Sequence, residues 1–113
     1  MTLNEIVEKL QLKVCSGENK LNQEITGGYA SDLMSDVIAN SKAGNIWITM
    51  QIHINIAAVA VLKDLAAIVI VQGRKPQDDT LKKAVEENVP LLVSKLPAFQ
   101  LVGRMYELGV GKN

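Results

Sequence analysis

Aromatic side chains make up only 4% of this 113-residue chain: one Trp, two Tyr and one Phe. Platforms that stack nucleobases need several such rings, so single-stranded nucleic-acid binding finds no support here. An excess charge is missing too, because Lys plus Arg number 12 and Asp plus Glu also number 12. A chain with no net charge has no global field to gather DNA, RNA or an anionic membrane. The single cysteine, Cys15, excludes an internal disulfide, and one His with one Cys falls short of the usual zinc ligand sets. Cys15 beside Val14 reads as a small half-buried residue, since Lys13 alone is weak support for a thiolate. Met1–Leu10 carries acids and a helix cap where a secretion signal needs a basic stretch and an apolar run. A cytoplasmic location is the expectation.

What is present points to a globular fold. Hydrophobic residues reach 48% against 21% charged, and the length suits a single domain over residues 1–113. Between Lys42 and Lys63 no charge occurs, a gap of about twenty positions that matches a membrane span in length. Asn45, Gln51, His53 and Asn55 interrupt it, and burying them in hydrocarbon unpaired is costly. The alternation of Met50, Ile52, Ile54 and Ile56 also suits an extended chain better than a spanning helix.

A first helix is marked by a Thr2–Glu5 capping box and by Leu3, Ile6, Val7 and Leu10 on one face. A short strand is expected over Leu12–Cys15, then a polar turn around Gly17–Lys20. Glu24–Thr26 reads as a strand edge running into Gly27-Gly28. A cycle of elements follows: helix Asp32–Lys42 stopped by Gly44, strand Ile46–Met50, helix Asn55–Leu65, strand Ala67–Val71. An exposed helix Asp78–Glu87, a strand Leu91–Val93 and a helix Pro97–Leu108 stopped by Gly109 complete it. Strands that are apolar on both faces and alternate with helices imply an α/β fold, a layered α/β/α arrangement around a mainly parallel sheet. Right-handed crossovers are expected to place helices on both sides.

Two helices carry little polarity. Ile56–Leu62 has no polar position for almost two turns, and Leu96–Leu108 keeps only Gln100, Arg104 and Glu107. A helix apolar all round is buried by something, and a second copy of a chain this small is the expected cover. A homodimer is therefore predicted, against burial within one chain.

Ligands of parallel sheets collect at the carboxyl ends of the strands. Those ends carry Gln51, His53 and Asn55, then Gln72, Gly73, Arg74 and Lys75, then Ser94 and Lys95. Gly27 and Gly28 can present backbone amides to an anion near a helix start. Together these make a candidate site for a small anionic ligand, with Arg74, Lys75 and Lys95 supplying charge. The plain alternative is a set of ordinary polar loop residues, with Asn55 capping a helix. His53 has no carboxylate near it in sequence and reads as a loop residue more readily than as a general base. Asp32 and Asp36, four apart, can hold a divalent ion in principle, but solvation near a helix start explains them more simply. No metal, no cofactor and no catalytic set is predicted. The tail Gly109-Val110-Gly111-Lys112-Asn113 is not a phosphate-binding loop: Tyr106 stands where the first glycine belongs, and Asn113 replaces the hydroxyl residue.

Thr26-Gly27-Gly28, Ser35-Asp36-Val37, Ile46-Trp47-Ile48-Thr49, Asn55-Ile56 and Gly73-Arg74-Lys75-Pro76, in this order, resemble a DRTGG domain. The similarity runs over roughly residues 20 to 110 and is nearest to the stand-alone bacterial and archaeal proteins known as HPr-serine-kinase-like. The resemblance implies the layered α/β fold of the N-terminal, non-catalytic domain of HPr kinase/phosphorylase. It also implies a regulatory or dimerisation role, since relatives are fused to CBS domains in regulated pyrophosphatases and occur in some phosphotransacetylases. Two departures stand out. Glu24-Ile25 replaces the Asp-Arg of the family signature, and Val71-Gln72-Gly73 stands where many members repeat Thr-Gly-Gly. The expected function is a non-enzymatic, dimeric regulatory module that binds a small anionic metabolite or nucleotide. The alternative is an interaction subunit that docks onto a partner enzyme or kinase without a ligand.

Overall fold

The computed structural model describes residues 1–112; Asn113, the last residue of the failed phosphate-loop comparison, lies outside them. The chain opens with α1 (Leu3–Leu10), where the Thr2 hydroxyl accepts the Glu5 N–H and the Glu5 carboxylate accepts the Thr2 N–H. This is the reciprocal cap the sequence predicts. Then come β1 (Lys13–Ser16), a 3-10 turn at Glu18–Lys20, β2 (Gly27–Ala30), α2 (Met34–Asn40), β3 (Asn45–Thr49) and α3 (Asn55–Lys63). The remainder is β4 (Ala67–Ile70), α4 (Asp78–Glu86), β5 (Leu91–Val93) and α5 (Ala98–Leu108).

The five strands form one sheet in the order β1-β5-β4-β3-β2. Strands β2 to β5 are parallel, and β1 joins β5 antiparallel with a register shift between Val14 and Ser16. Every residue of β3 and β4 is buried, as central parallel strands covered on both faces require. Because β2, β3, β4 and β5 advance across the sheet in one direction, right-handed crossovers keep α2, α3 and α4 on the same face, not on both faces as expected from the sequence. There Val37, Ile56 and Ala84 pack on Trp47, Ile68 and Ile70. The other face is closed by the terminal helices, with Leu3, Ile6, Leu101 and Met105 on Ile46, Ile48, Val69 and Leu92. The architecture is the layered α/β/α with a mainly parallel sheet that the sequence implies. No helix of the described residues is long and apolar enough to cross a membrane.

Several boundaries move for local reasons. The strand expected at Glu24–Thr26 forms instead at Gly27–Ala30, where partners on β3 are available. Thr26 ahead of it is fastened to the turn before β3: its N–H donates to Gly44 O and its hydroxyl to Ala43 O, 2.8 Å. Helix α2 starts at Met34 rather than Asp32, because the Asp32 carboxylate is taken up by β3. Helix α3 ends at Asp64 in the left-handed conformation, and α5 at Gly109 as predicted.

The apolar helices are covered unequally. In α3, the middle helix of its layer, Ile56, Ala57, Val59 and Ala60 are buried within the chain, and Val61 and Leu62 remain exposed. The apolar run of Ile56–Leu62 is therefore explained mostly by burial inside one chain. Helix α5 buries Leu101 and Met105 but leaves Phe99, Val102 and Tyr106 exposed.

Gly44 makes the turn into β3 with φ +80°, and a Cβ there would lie 2.6 Å from Thr26 Cγ2. The Gly44→Ala variant should lose about 1–3 kcal/mol from the left-handed backbone alone, with more from the clash. Chemical denaturation of the two proteins measures the difference; equal midpoints would show that the Thr26–Gly44 contact can relax without cost.

Candidate functional site

At the carboxyl end of the sheet, Asp32 in the loop after β2 reaches across to β3. Its Oδ1 accepts from Thr49 Oγ1 at 2.8 Å and from the Met50 N–H at 2.7 Å, and its carbonyl accepts from Gln51 Nε2. From the other side, the Arg74 guanidinium donates to the Met50 carbonyl. The Met50 peptide is thus gripped by a carboxylate and a cation from two different loops. Nearby, Tyr29 on β2 donates to Asp36 on α2 at 2.8 Å, and Asn40 adds a second bond. The Tyr29 bond, with help from neighbouring polar groups, holds the Asp36 carboxyl below the usual carboxylate range. The same bond pushes the Tyr29 phenol up. Both aspartates are therefore structural anchors, and no cluster of three metal-ligating side chains occurs among the described residues.

The predicted site residues are not all brought together. Gly27 and Gly28 open β2, level with Asn45 and Ile46, so they sit at the amino end of the sheet. There they are far from the carboxyl-end loops and precede no helix directly. Gly27 lies against the Asn45 amide, itself bonded to Thr26 Oγ1, which gives Thr26-Gly27 an architectural task. His53 and Asn55 stand exposed at the start of α3. Asn55 does not cap that helix: the capping position is Ile54 and no side chain bonds to the helix start. The Ile56 and Ala57 amides donate back to the His53 and Ile54 carbonyls, which leaves few free donors for an anion. Gln51 is spent on Asp32.

Gly73, Arg74, Lys75 and Lys95 do converge. Gln72 and Gly73, at φ +62° and +63°, form a tight turn closed by the Arg74 N–H to Val71 O. Their own amides bond to Leu96 O and Ser94 O, which ties the loop after β4 to the loop after β5. The turn sets Arg74 and Lys75 at the rim of a groove of about 560 Å³ between α4 and the β5–β1 edge. Lys13 from β1 and Lys95 from beyond β5 complete the rim, and Cys15, Pro76, Leu81 and Val93 give an apolar floor. Asp78 is the one carboxylate in the lining, at the first residue of α4. Four cations against one carboxylate concentrate positive charge on a chain of zero net charge, and no ion pair neutralises them among the described residues. Cys15 lies in the floor, where burial pushes its thiol up. Sequence reasoning did not assign Lys13, Cys15 or Leu81 here. The alternation Lys13-Val14-Cys15 on a strand was the available signal, but it did not show that β1 pairs with β5.

Such a groove suits a ligand with a compact anionic group and a less polar body.

No protein-family model matches the chain, and no curated protein matches its sequence. Its fold is similar to that of the CBS and DRTGG domains of the regulatory region of a Clostridium perfringens pyrophosphatase, solved in complex with an activator, diadenosine tetraphosphate. The match has a TM-score of 0.69 at 13% identity and covers 90% of this chain and 44% of that one. This chain therefore spans less than half the length of its structural neighbour. The likeness is one of fold.

The raised Cys15 thiol has a direct consequence. At neutral pH a smaller thiolate fraction should make its alkylation by iodoacetamide slower than that of a free cysteine. A rate equal to or above that of the free amino acid would show that the surrounding lysines outweigh burial.

Proposed function

We propose that residues 1–113 work as one DRTGG-type regulatory domain, homodimeric and cytoplasmic, that binds a small anionic metabolite such as a nucleotide and catalyses no reaction. The observation that carries this reading is the groove between α4 and the β5–β1 edge, with Lys13, Arg74, Lys75 and Lys95 around an apolar floor. Guanidinium and ammonium groups make charge-assisted bonds to phosphate or carboxylate, and the floor can take a base or an aliphatic body. The fold shared with a regulatory region solved with a bound dinucleotide activator supports the same reading. So does the motif order from Thr26-Gly27-Gly28 to Gly73-Arg74-Lys75-Pro76, similar to the non-catalytic domain of HPr kinase/phosphorylase. In this chain the first of those motifs serves the β2–β3 junction, and ligand binding falls to the second.

An interaction subunit docking onto a partner enzyme is the second reading. Val61 and Leu62 favour it, since they are exposed on α3, outside the lining of the groove.

Titration calorimetry with ATP and with diadenosine tetraphosphate tests the leading reading. Lys95→Ala should weaken binding by about 1.5–3 kcal/mol if one charged hydrogen bond is lost. Its folding stability should stay within about 0.5 kcal/mol, as for an exposed loop charge. Arg74→Ala should weaken binding similarly and also cost stability, because Met50 O loses its donor. Absence of binding to the unaltered protein at millimolar ligand would favour the docking subunit. Incubation with labelled ATP and an HPr-type acceptor should transfer no phosphate; stoichiometric labelling that survives repurification would assign a kinase activity instead.

A further inference from the structure

The two edges of the sheet are built differently. At one edge, β1 carries the exposed Lys13 and a register shift between Val14 and Ser16. A lysine and a bulge are the devices that stop an edge strand from recruiting another strand. At the other edge, β2 reads Gly27-Gly28-Tyr29-Ala30, with no charge, no proline and no register shift against β3. No strand pairs with its outer side among the described residues. Such an edge presents alternate N–H and C=O groups ready for a partner strand.

Apolar side chains flank this edge on both faces. On one face α5 leaves a groove beside β2, lined by Gly28, Ala30, Ile48, Val102 and Tyr106. On the outward side of α5, Phe99, Val102 and Tyr106 recur at helical spacing and are 88%, 36% and 56% exposed. On the opposite face α2 is the helix farthest from β1; Leu33, just ahead of it, is 65% exposed and Ile38 within it 40%.

We propose that the outer edge of β2 pairs with the same edge of a second copy, antiparallel across a twofold axis, with α5 and α2 closing over the seam. A strand related to itself by a twofold axis runs antiparallel to its copy, so one patch serves both partners. With ~150–250 Å² per aromatic ring and somewhat less per aliphatic side chain, the exposed parts of the five flanking residues amount to roughly 500 Å² per copy. The pair therefore covers on the order of 1,000 Å², where specific interfaces begin, before the backbone bonds are counted. Zero net charge on the chain raises no long-range repulsion between copies. This inference rests on the homodimer in the reading above and is independent of the groove on the β1 side.

Light scattering coupled to size exclusion, from micromolar to hundreds of micromolar protein, tests it. The unaltered protein should be a dimer. Ala30→Lys, which gives β2 the charge that β1 already has, should shift the dissociation constant at least tenfold toward monomer. Phe99→Glu, at a side chain free of the core, should do the same with an unchanged melting temperature, so a folding defect cannot mimic the result. A monomer at every concentration would remove both the dimer and this surface, leaving the edge to a different partner. A dimer that survives both substitutions would keep the homodimer and overturn its placement on β2.

Discussion

The pairing of β3 with β4 is the constraint on which the rest of the structure depends. Both strands are buried along their whole length, and their side chains point to both faces. A sheet centre of that kind cannot leave either face to water, so it needs helices above and below. The monotonic strand order then decides how the helices divide. All three crossovers fall on one side, and only the terminal helices α1 and α5 are left for the other. Two helices cover less of a five-stranded sheet than three do, and the uncovered strip lies beside β2.

The same constraint concentrates polar work at the carboxyl ends of the strands. Loops that leave a parallel sheet there must be fixed to one another, and buried or half-buried polar groups must find partners. Asp32, Thr49, Gln51 and the Met50 peptide satisfy each other, and Arg74 reaches over from the next loop. No buried side-chain polar atom among the described residues lacks a partner. Much of what looks like binding chemistry in the sequence is therefore consumed by architecture. The lysines of the groove are different: Lys13, Lys75 and Lys95 line it from three separate segments and make no ion pair among the described residues. Their proximity concentrates positive charge on that side of the sheet.

The antiparallel placement of β1 produces that groove. Helix α4 packs beside α3 and against β1, and the groove stays open between Leu81 and the β5–β1 edge. Lys13, at the start of an antiparallel strand, comes level with Val93 at the end of a parallel one. Charge from the start of the chain thereby meets charge from the loops after β4 and β5. The basic rim and the bare β2 edge lie at opposite edges of the sheet.

Alternation of apolar runs with capped helices was enough to read the α/β class and nearly all the elements, because those signals are local. Thr2 with Glu5, Gly109 after Leu108, and the unbroken Ala67–Ile70 run each act within a few residues. The convergence of Gly73, Arg74, Lys75 and Lys95 was also legible, since parallel strands place their following loops at one end. Strand order was not. It decided that Gly27 and Gly28 belong to the amino end, that α3 is covered by its own neighbours, and that Lys13 joins a site some sixty residues away in the chain. Each of these depends on which strand lies beside which, a choice made by long-range burial that leaves no mark in any single window of sequence.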